Sequence, residues 1–327
     1  MPVMSFIDAV RETLRSEMRR DPDIWVTGED VGRKGGVFGA TQGLYDEFGE
    51  ARVMDSPLSE SAIVGVGIGA ALYGTRPVCE IQFADFIFPA MNQIVSEAAK
   101  MRYRSNGDWT VPMVIRAPFG GGVHGGLYHS QSVEQYFTNT AGLKVVIPST
   151  PYDVKGLLTA ALRDPDPVLF FEHKGLYRAI KGEVPEQEYT IPIGKADVKR
   201  DGTDITVITY GKMVHFCLEA AAELAKEGYS ALVLDLRTVL PLDREAIVAT
   251  ARKTGKVLIV HEASKTHGVG AEVAAIIAEE CLYDLDAPIQ RLCGPDVPAM
   301  PYAAPMEKFY MLSPQKCLTA MRQLAQF

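Results

Sequence analysis

The chain has 327 residues, of which 47% are hydrophobic and 23% charged, so it is long enough for two globular domains. Its net charge of −8 disfavours a nucleic-acid partner, and no apolar run is long enough to cross a membrane. Five widely spaced cysteines without a C-x-x-C pair indicate neither a disulfide framework nor a zinc site.

Helices alternate with short apolar strands through the first half of the chain. A helical pattern begins after Ser5, a residue suited to cap it, and a strand follows at 24–27. Residues 61–72 are apolar all round and predict a buried helix, and a longer helix is predicted at 88–104. Strands are also predicted at 78–83, 113–116, 145–147 and 168–172, with a helix at 152–163. This alternation predicts a mostly parallel α/β sheet covered on both faces.

A polar segment with two prolines, 182–202, interrupts this pattern. We therefore predict an N-terminal domain over 1–185, a linker over 186–202 and a second α/β domain over 203–327. Its strands are predicted at 205–210, 231–235, 257–260 and 289–292, and its helices at 214–226, 244–252, 271–280 and 313–324. Asp243 and Ser313 are candidate caps for two of these helices.

The loop after strand 113–116 holds two of the six histidines, His124 and His129, among five glycines. Glycine permits positive φ and close approach of another molecule, and histidine exchanges protons near neutral pH. The loop therefore predicts a functional site. Neighbouring polar residues can fix the tautomer of His129, whereas His124 is interpreted as either a second catalytic group or a structural donor.

Polar residues also follow other predicted strands, where ligands of open α/β sheets bind. Glu29 follows the first strand. The segment 55–61 places carboxylates just before the glycine-rich helix, where an acid can bond a ligand's ring nitrogen or simply begin the helix. Phe86 is either a stacking platform or, as its position alone favours, an ordinary core aromatic.

Two further patterns have structural interpretations. The glycines at 65, 67 and 69 lie within a predicted helix rather than in a strand-to-helix turn, so they indicate close helix packing and not a dinucleotide fingerprint. His261 and Glu262 follow a strand of the second domain, where they are candidates for a surface or interface role.

Nine segments together resemble the β subunit of the thiamine-diphosphate-dependent 2-oxo acid dehydrogenase component, and the resemblance covers essentially the whole chain. They are GEDVG at 28–32, GGVF at 35–38, DSPLSES at 55–61, EIQFADF at 80–86, RYR at 102–104, GGGVHGGLYHSQS at 120–132, PSTPY at 148–152, LYR at 176–178 and DLRT at 235–238.

The resemblance implies a pyrimidine-binding domain followed by a transketolase C-terminal-type domain, in an α2β2 heterotetramer. Thiamine diphosphate would lie at the subunit interface. The α subunit would hold the diphosphate and Mg with a Gly-Asp-Gly motif, which this chain lacks. A self-contained transketolase-like enzyme is disfavoured for the same reason. A cytoplasmic location is expected, or the mitochondrial matrix if this is a processed eukaryotic chain, since the N-terminus shows no secretory signal.

The resemblance also implies roles for individual residues. Glu60 would bond the aminopyrimidine ring, and Leu58 would hold the cofactor in its bent shape. Gln82 and Phe86 would line the pyrimidine pocket with Glu29, although many relatives have tyrosine in place of Phe86. His129 would transfer protons while the acyl group passes to the lipoyl arm of the acyltransferase component. Relatives hold a potassium ion near the positions of Val111, Met113, Val114, Ala161, Asp164 and Asp166.

Two segments, HGGLYHSQS at 124–132 and APIQRLCG at 287–294, are more similar to the branched-chain enzymes than to the pyruvate enzymes. The implied substrates are 3-methyl-2-oxobutanoate and related branched 2-oxo acids. The alternatives are a pyruvate or acetoin dehydrogenase β subunit, and a non-catalytic subunit that only docks the acyltransferase. The acidic balance and the carboxylate of Phe327 suit a basic docking domain of that acyltransferase.

Overall fold

A computed structural model describes all 327 residues, and contacts within the chain divide them into two compact units. The first unit comprises Met1–Phe119 and Tyr136–Ile193, and the second comprises Gly120–Gln135 and Gly194–Phe327. The histidine loop therefore belongs to the second unit, although the first unit surrounds it in the sequence.

The first unit is built on a parallel sheet, as predicted. Its strands are β1 (Val3–Ser5), β2 (Ile24–Gly28), β3 (Val53–Asp55), β4 (Arg76–Glu80), β5 (Val114–Phe119), β6 (Lys144–Val146), β7 (Val168–His173) and β8 (Lys181–Glu183). Six of them lie in the order β6-β7-β5-β4-β2-β3, all parallel, while β1 and β8 form a separate antiparallel ribbon. All residues of β2, β5 and β7 are buried, and these strands are mainly apolar apart from charged residues such as Arg116 and Glu172.

Helices cover this sheet. They are α1 (Phe6–Arg20), α2 (Leu44–Phe48), α3 (Glu60–Leu72), α4 (Met101–Arg104) and α5 (Pro151–Arg163). The predicted cap of α1 is confirmed, because the Ser5 hydroxyl accepts a hydrogen bond from the Asp8 amide at 3.2 Å. One face of α1 and one of α5 enter the same apolar core.

The prediction of one continuous α-helix at 88–104 is wrong. The segment consists of tight turns at Phe88–Ala90 and Ala98–Lys100, a π-helical turn at Gln93–Glu97, and only then α4. Gly142 approaches the backbone of Ala99 so closely that a Cβ on it would lie 1.9 Å from the Ala99 carbonyl oxygen. The helix is therefore irregular at the point where the backbone of Gly142 packs against Ala99.

The prediction that residues 61–72 form a helix is confirmed, but full burial is wrong. Helix α3 buries Ile63, Val64, Gly67, Ile68 and Ala71. Its opposite face is exposed, including Val66 at 60%, and Tyr73 at its C-cap is 92% exposed. The helix is apolar all round, yet only one of its faces is covered within this chain.

The second unit has a smaller, mostly parallel sheet. The strands of this unit are β9 (Asp197–Arg200), β10 (Ile205–Thr209), β11 (Ala231–Asp235), β12 (Thr238–Leu240), β13 (Val257–Ser264) and β14 (Gln290–Gly294). Five of them lie in the order β14-β13-β10-β11-β9, with β9 antiparallel to its neighbour. The predicted linker is thus partly ordered, because it contributes β9.

Five helices accompany this sheet: α6 (Met213–Ala225), α7 (Arg244–Thr254), α8 (Val269–Cys281), α9 (Ala304–Tyr310) and α10 (Pro314–Ala325). Asp243 and Ser313 cap α7 and α10, as predicted, by accepting hydrogen bonds from the amides of Ala246 and Lys316. All five cysteines are free thiols. None of the helices combines the length and the apolar character needed to span a membrane.

Candidate active site

The carboxyl ends of β2 and β4 bring three of the predicted site residues together. Glu29 follows β2, and Glu60 begins α3. Partial burial raises the pKa of Glu29, and the neighbouring carboxylate of Glu60 raises it further, so these two acids interact. The Gln82 amide lies 3.5 Å from the Glu29 carbonyl oxygen. This edge therefore presents a pair of acids beside an amide.

Aromatic rings continue from this edge. Phe86 is partly buried and lies 5.9 Å from Phe83, which in turn lies 5.4 Å from Phe38. Leu58, just before α3, is 78% exposed. Such a row of rings offers an apolar wall beside the acid pair.

Beneath the edge lies a buried charged cluster that the sequence did not reveal. Arg116 is fully buried, and its guanidinium donates to Glu80 at 2.6 Å and to both oxygens of Glu172 at 2.6 and 2.7 Å. The Tyr177 hydroxyl donates to Glu172 at 2.7 Å. Burial raises the pKa of Glu80, and Arg116 opposes that shift. The cluster fixes the ends of β4, β5 and β7 to one another.

In the second unit, the histidine loop is closed at its base. The Gly120 amide donates to the Gln131 carbonyl at 2.9 Å, and the Gly121 amide donates to Glu262 at 2.5 Å. Gly125 is required by packing, because a Cβ there would lie 2.7 Å from the Cβ of His129. His129 itself is partly exposed and lies two residues before Gln131, whose carbonyl closes the base of the loop.

His124 is engaged by the segment around α9. Its backbone has a φ of 55°, its Nδ1 lies 2.9 Å from a Glu307 carboxylate oxygen, and its ring lies 4.4 Å from the Tyr302 ring. Of the two interpretations of His124, this arrangement favours the structural one. These partners could not be inferred from the sequence, because they are distant along the chain.

The suggested surface role of His261 and Glu262 is wrong. His261 is fully buried, burial lowers its pKa to about 4, and its Nε2 lies 3.3 Å from the Cys293 sulfur. Glu262 is only 5% exposed. Strand β13 is longer than predicted and carries both residues into the interior.

The close packing inferred for the helix glycines is confirmed at one position. A Cβ on Gly67 would lie 2.5 Å from the Cys79 sulfur and 3.0 Å from Met113, whereas a Cβ on Gly69 would meet nothing within 4 Å. Gly69 instead lies on the exposed face of α3.

The residues implied for potassium lie away from the acid pair, at the amino end of β5 and the end of α5. Their two carboxylates are already paired: Lys144 lies 2.6 Å from Asp164, and Arg102 lies 2.8 Å from Asp166. The carbonyl oxygens of Val111, Met113 and Ala161 accept hydrogen bonds from the amides of Met113, Val168 and Asp164.

A parallel-sheet unit with an acid pair at its strand ends, followed by a smaller α/β unit, defines a chain of the transketolase type. The family described as "Transketolase, pyrimidine binding domain" matches residues 3–180, and "Transketolase, C-terminal domain" matches residues 194–317. A solved structure described as "Split gene transketolase, inactive beta4 tetramer" has the same fold, with a TM-score of 0.80, 22% identity and coverage of 99% of this chain and 98% of that one.

Over 327 residues, all of both chains, the sequence is 68% identical to 2-oxoisovalerate dehydrogenase subunit beta of Bacillus subtilis (strain 168). Over the same length it is 50% identical to pyruvate dehydrogenase E1 component subunit beta of that organism. The chain belongs to the family of thiamine-diphosphate-dependent 2-oxo acid dehydrogenase β subunits, so the predicted family and fold class are confirmed.

Proposed function

We propose that this chain is the β subunit of a branched-chain 2-oxo acid dehydrogenase. With an α subunit, it oxidatively decarboxylates 3-methyl-2-oxobutanoate and related 2-oxo acids and transfers the acyl group to the lipoyl arm of an acyltransferase. The observation that carries the substrate class is the full-length identity of 68% to a 2-oxoisovalerate dehydrogenase subunit, against 50% to a pyruvate dehydrogenase subunit.

The acid pair and the aromatic row fit the aminopyrimidine half of thiamine diphosphate. When bound, the cofactor supplies a thiazolium ring that accepts the electrons released by decarboxylation. Glu60 shares a proton with the aminopyrimidine nitrogen, and Glu29, whose pKa is raised, reinforces that site. Gln82 and Phe86 line the pocket, and Leu58 supports the bent cofactor.

His129 is the second catalytic group in this proposal. Its imidazole exchanges protons while the acyl group moves to the lipoyl sulfur. Its partial exposure in a glycine-rich loop leaves room for the incoming lipoyl arm.

An α subunit completes the site. The uncovered face of α3 bears Ala62, Val66 and Gly69, with Tyr73 at its end, and it carries no charge. An exposed apolar helix face of this kind is typical of a subunit interface. The α subunit supplies the diphosphate and Mg ligands in an α2β2 heterotetramer. The second unit binds the acyltransferase, and the five free thiols suit the reducing cytoplasm.

A potassium ion held by carbonyl oxygens at the positions of Val111, Met113, Val114, Ala161, Asp164 and Asp166 belongs to the same proposal. The negative end of the α5 dipole favours a cation there.

Reconstitution with an α subunit tests the substrate class. We expect kcat/KM for 3-methyl-2-oxobutanoate to exceed that for pyruvate, measured as CO2 release with an artificial electron acceptor. Preference for pyruvate would overturn the branched-chain assignment and leave the family unchanged. Full complex turnover by a Glu60→Ala variant would instead favour a docking subunit without catalytic residues.

A further inference from the structure

The histidine loop is rich in glycine, which makes a single ordered conformation of its backbone entropically costly. Glycine loses more backbone entropy on ordering than any other residue, and five glycines lie between Gly120 and Gly126. A side chain that acts from such a loop needs contacts that hold the loop from outside it. Those contacts identify the residues on which the position of His129 depends.

Glu262 reaches both ends of the loop with a single oxygen atom. Its Oε1 accepts a hydrogen bond from the Gly121 amide at 2.5 Å and one from the Ser132 hydroxyl at 3.3 Å. Gly121 precedes His129 and Ser132 follows it, so the carboxylate closes the segment that contains the histidine. Hydrogen bonds to a charged acceptor are among the stronger ones.

Glu262 lies near the end of β13, at an irregularity in the pairing with β14 between His261 and Ser264. Gly294 packs so tightly on it that a Cβ there would lie 2.3 Å from the Glu262 carbonyl oxygen. The side chain is 5% exposed, so water does not compete freely for its hydrogen bonds.

A second buried acid lies close enough to interact electrostatically with Glu262. Glu134 is fully buried and accepts a hydrogen bond from the Tyr210 hydroxyl at 2.7 Å. Burial raises its pKa to about 7, and the charge of Glu262 adds to that shift. Glu134 therefore keeps its proton to a higher pH than a solvent-exposed glutamate does.

We propose that Glu262 is a positioning residue, which holds His129 for acyl transfer by closing the loop between Gly121 and Ser132. This inference rests on the proposed role of His129. It adds that the geometry of that histidine is set by an acid on the second sheet and not by the strand from which the loop emerges.

The test compares Glu262→Ala with Glu262→Gln, which keeps an acceptor oxygen but not the charge, in the enzyme reconstituted with an α subunit and a lipoyl domain. Glu223→Ala removes an exposed acid that pairs only with Lys226 and is the matched control. Hydrogen exchange of peptides covering 120–132 reports loop order. Steady-state kinetics separate lipoyl acylation from CO2 release with an artificial acceptor.

We expect Glu262→Ala to speed hydrogen exchange in the loop and to lower kcat for lipoyl acylation about 10²-fold, the cost of a displacement of about 1 Å. KM for the 2-oxo acid should change far less, and Glu262→Gln should recover much of both losses. In a His129→Ala background, Glu262→Ala should add little, because both changes act through one group. Glu223→Ala should match the wild type.

Unchanged loop exchange in Glu262→Ala would overturn the proposed closure. Faster exchange with unimpaired acylation would overturn the positioning role, provided that His129→Ala is impaired. If Glu262→Ala does not fold, the folded Glu262→Gln variant is the test: it lacks the charge, so a partial loss of loop order and of acylation is expected, and wild-type values of both would overturn the proposal. A fully active His129→Ala would overturn the role of His129 itself, which is a different result from any of these.

Discussion

The acid pair of the first unit and the histidine loop of the second are held by different kinds of interaction. Glu29 and Glu60 stand where a buried strand ends and a helix begins, so the regular elements place them. His129 stands on irregular backbone, and the contacts that close its loop come from Glu262, far along the chain. The first region depends on topology and the second on a few tertiary hydrogen bonds.

This difference predicts different sensitivities to substitution. Changes near the acid pair should alter chemistry without loosening the sheet, unless they reach the buried cluster around Arg116. Changes around the histidine loop should alter order and chemistry together. The following experiments test that contrast, from the largest expected effect to the smallest.

Replacing Glu60 by alanine should have the largest effect. We expect CO2 release by the reconstituted enzyme to fall about 10²–10⁴-fold, the usual contribution of a positioned proton-transfer group. The unfolding midpoint of the isolated chain should stay close to that of the wild type, because Glu60 is partly exposed. Glu50→Ala, at an exposed acid, is the control. A large loss of stability in Glu60→Ala would show that the acid pair is not separable from the fold.

Replacing Arg116 by methionine should mainly affect stability. Two buried carboxylates lose their only guanidinium partner, which costs about 3–5 kcal/mol of unfolding free energy when a buried pair is broken. The matched change, Arg322→Met, removes a surface partner of Glu227 and should cost far less, because water screens this pair. Chemical denaturation measures both, and equal losses would contradict the difference in burial.

Glu134 should make stability depend on pH. Its pKa is about 7 in the folded chain, against a reference value of 4.5. Below pH 4.5 the acid is protonated in both states. As pH rises from 4.5 to 7, the unfolded chain releases the proton first, so folding stability falls, by about 3 kcal/mol at the upper end.

Glu134→Gln keeps an acceptor for Tyr210 and removes this titration. The difference in unfolding free energy between Glu134→Gln and the wild type should therefore grow in favour of the variant between pH 4.5 and 7 and then level off. Tyr210 and Glu262 interact with Glu134, so the comparison measures the titration of Glu134 together with these two neighbours. A difference that shrinks with rising pH would show that Glu134 is not held in its neutral form.

Substitutions of glycines in helix α3 should have the smallest effects on stability. Gly67→Ala forces a methyl group against the Cys79 sulfur and should cost about 1–3 kcal/mol, as overpacking does. Gly69→Ala meets no neighbour in this chain and should be neutral or stabilise the isolated chain by up to about 1 kcal/mol. Thermal unfolding distinguishes them. In the presence of an α subunit, impaired assembly by Gly69→Ala would support an interface on this face.

The sequence was sufficient for the features that repeat along the chain. Alternating strands and helices predicted the parallel sheets, and the caps at Ser5, Asp243 and Ser313 followed from side chains that accept local amide hydrogen bonds. Glu29 could be predicted to lie at the carboxyl end of a strand, whereas its grouping with Glu60 and Gln82 followed from the family resemblance, because no strand was predicted before Glu60 and Gln82 lay within its predicted strand.

Features that depend on distant partners could not be predicted in the same way. The buried position of Glu262 required a strand longer than its apolar run, and the interrupted helix at 88–104 required the approach of Gly142. The exposed face of α3 had the composition of a buried one. The apolar composition of a helix indicates that its surface is covered, but it does not distinguish between cover by its own chain and cover by another chain.

The discontinuous second unit has a consequence for protein engineering. A chimera that exchanges only residues 194–327 between two relatives would combine a foreign β13 with the native loop 120–135, and so separate Glu262 from the backbone that it binds. Exchanging both segments together would preserve that hydrogen bonding. In this chain the unit of recombination is therefore defined by contacts and not by a single crossover point.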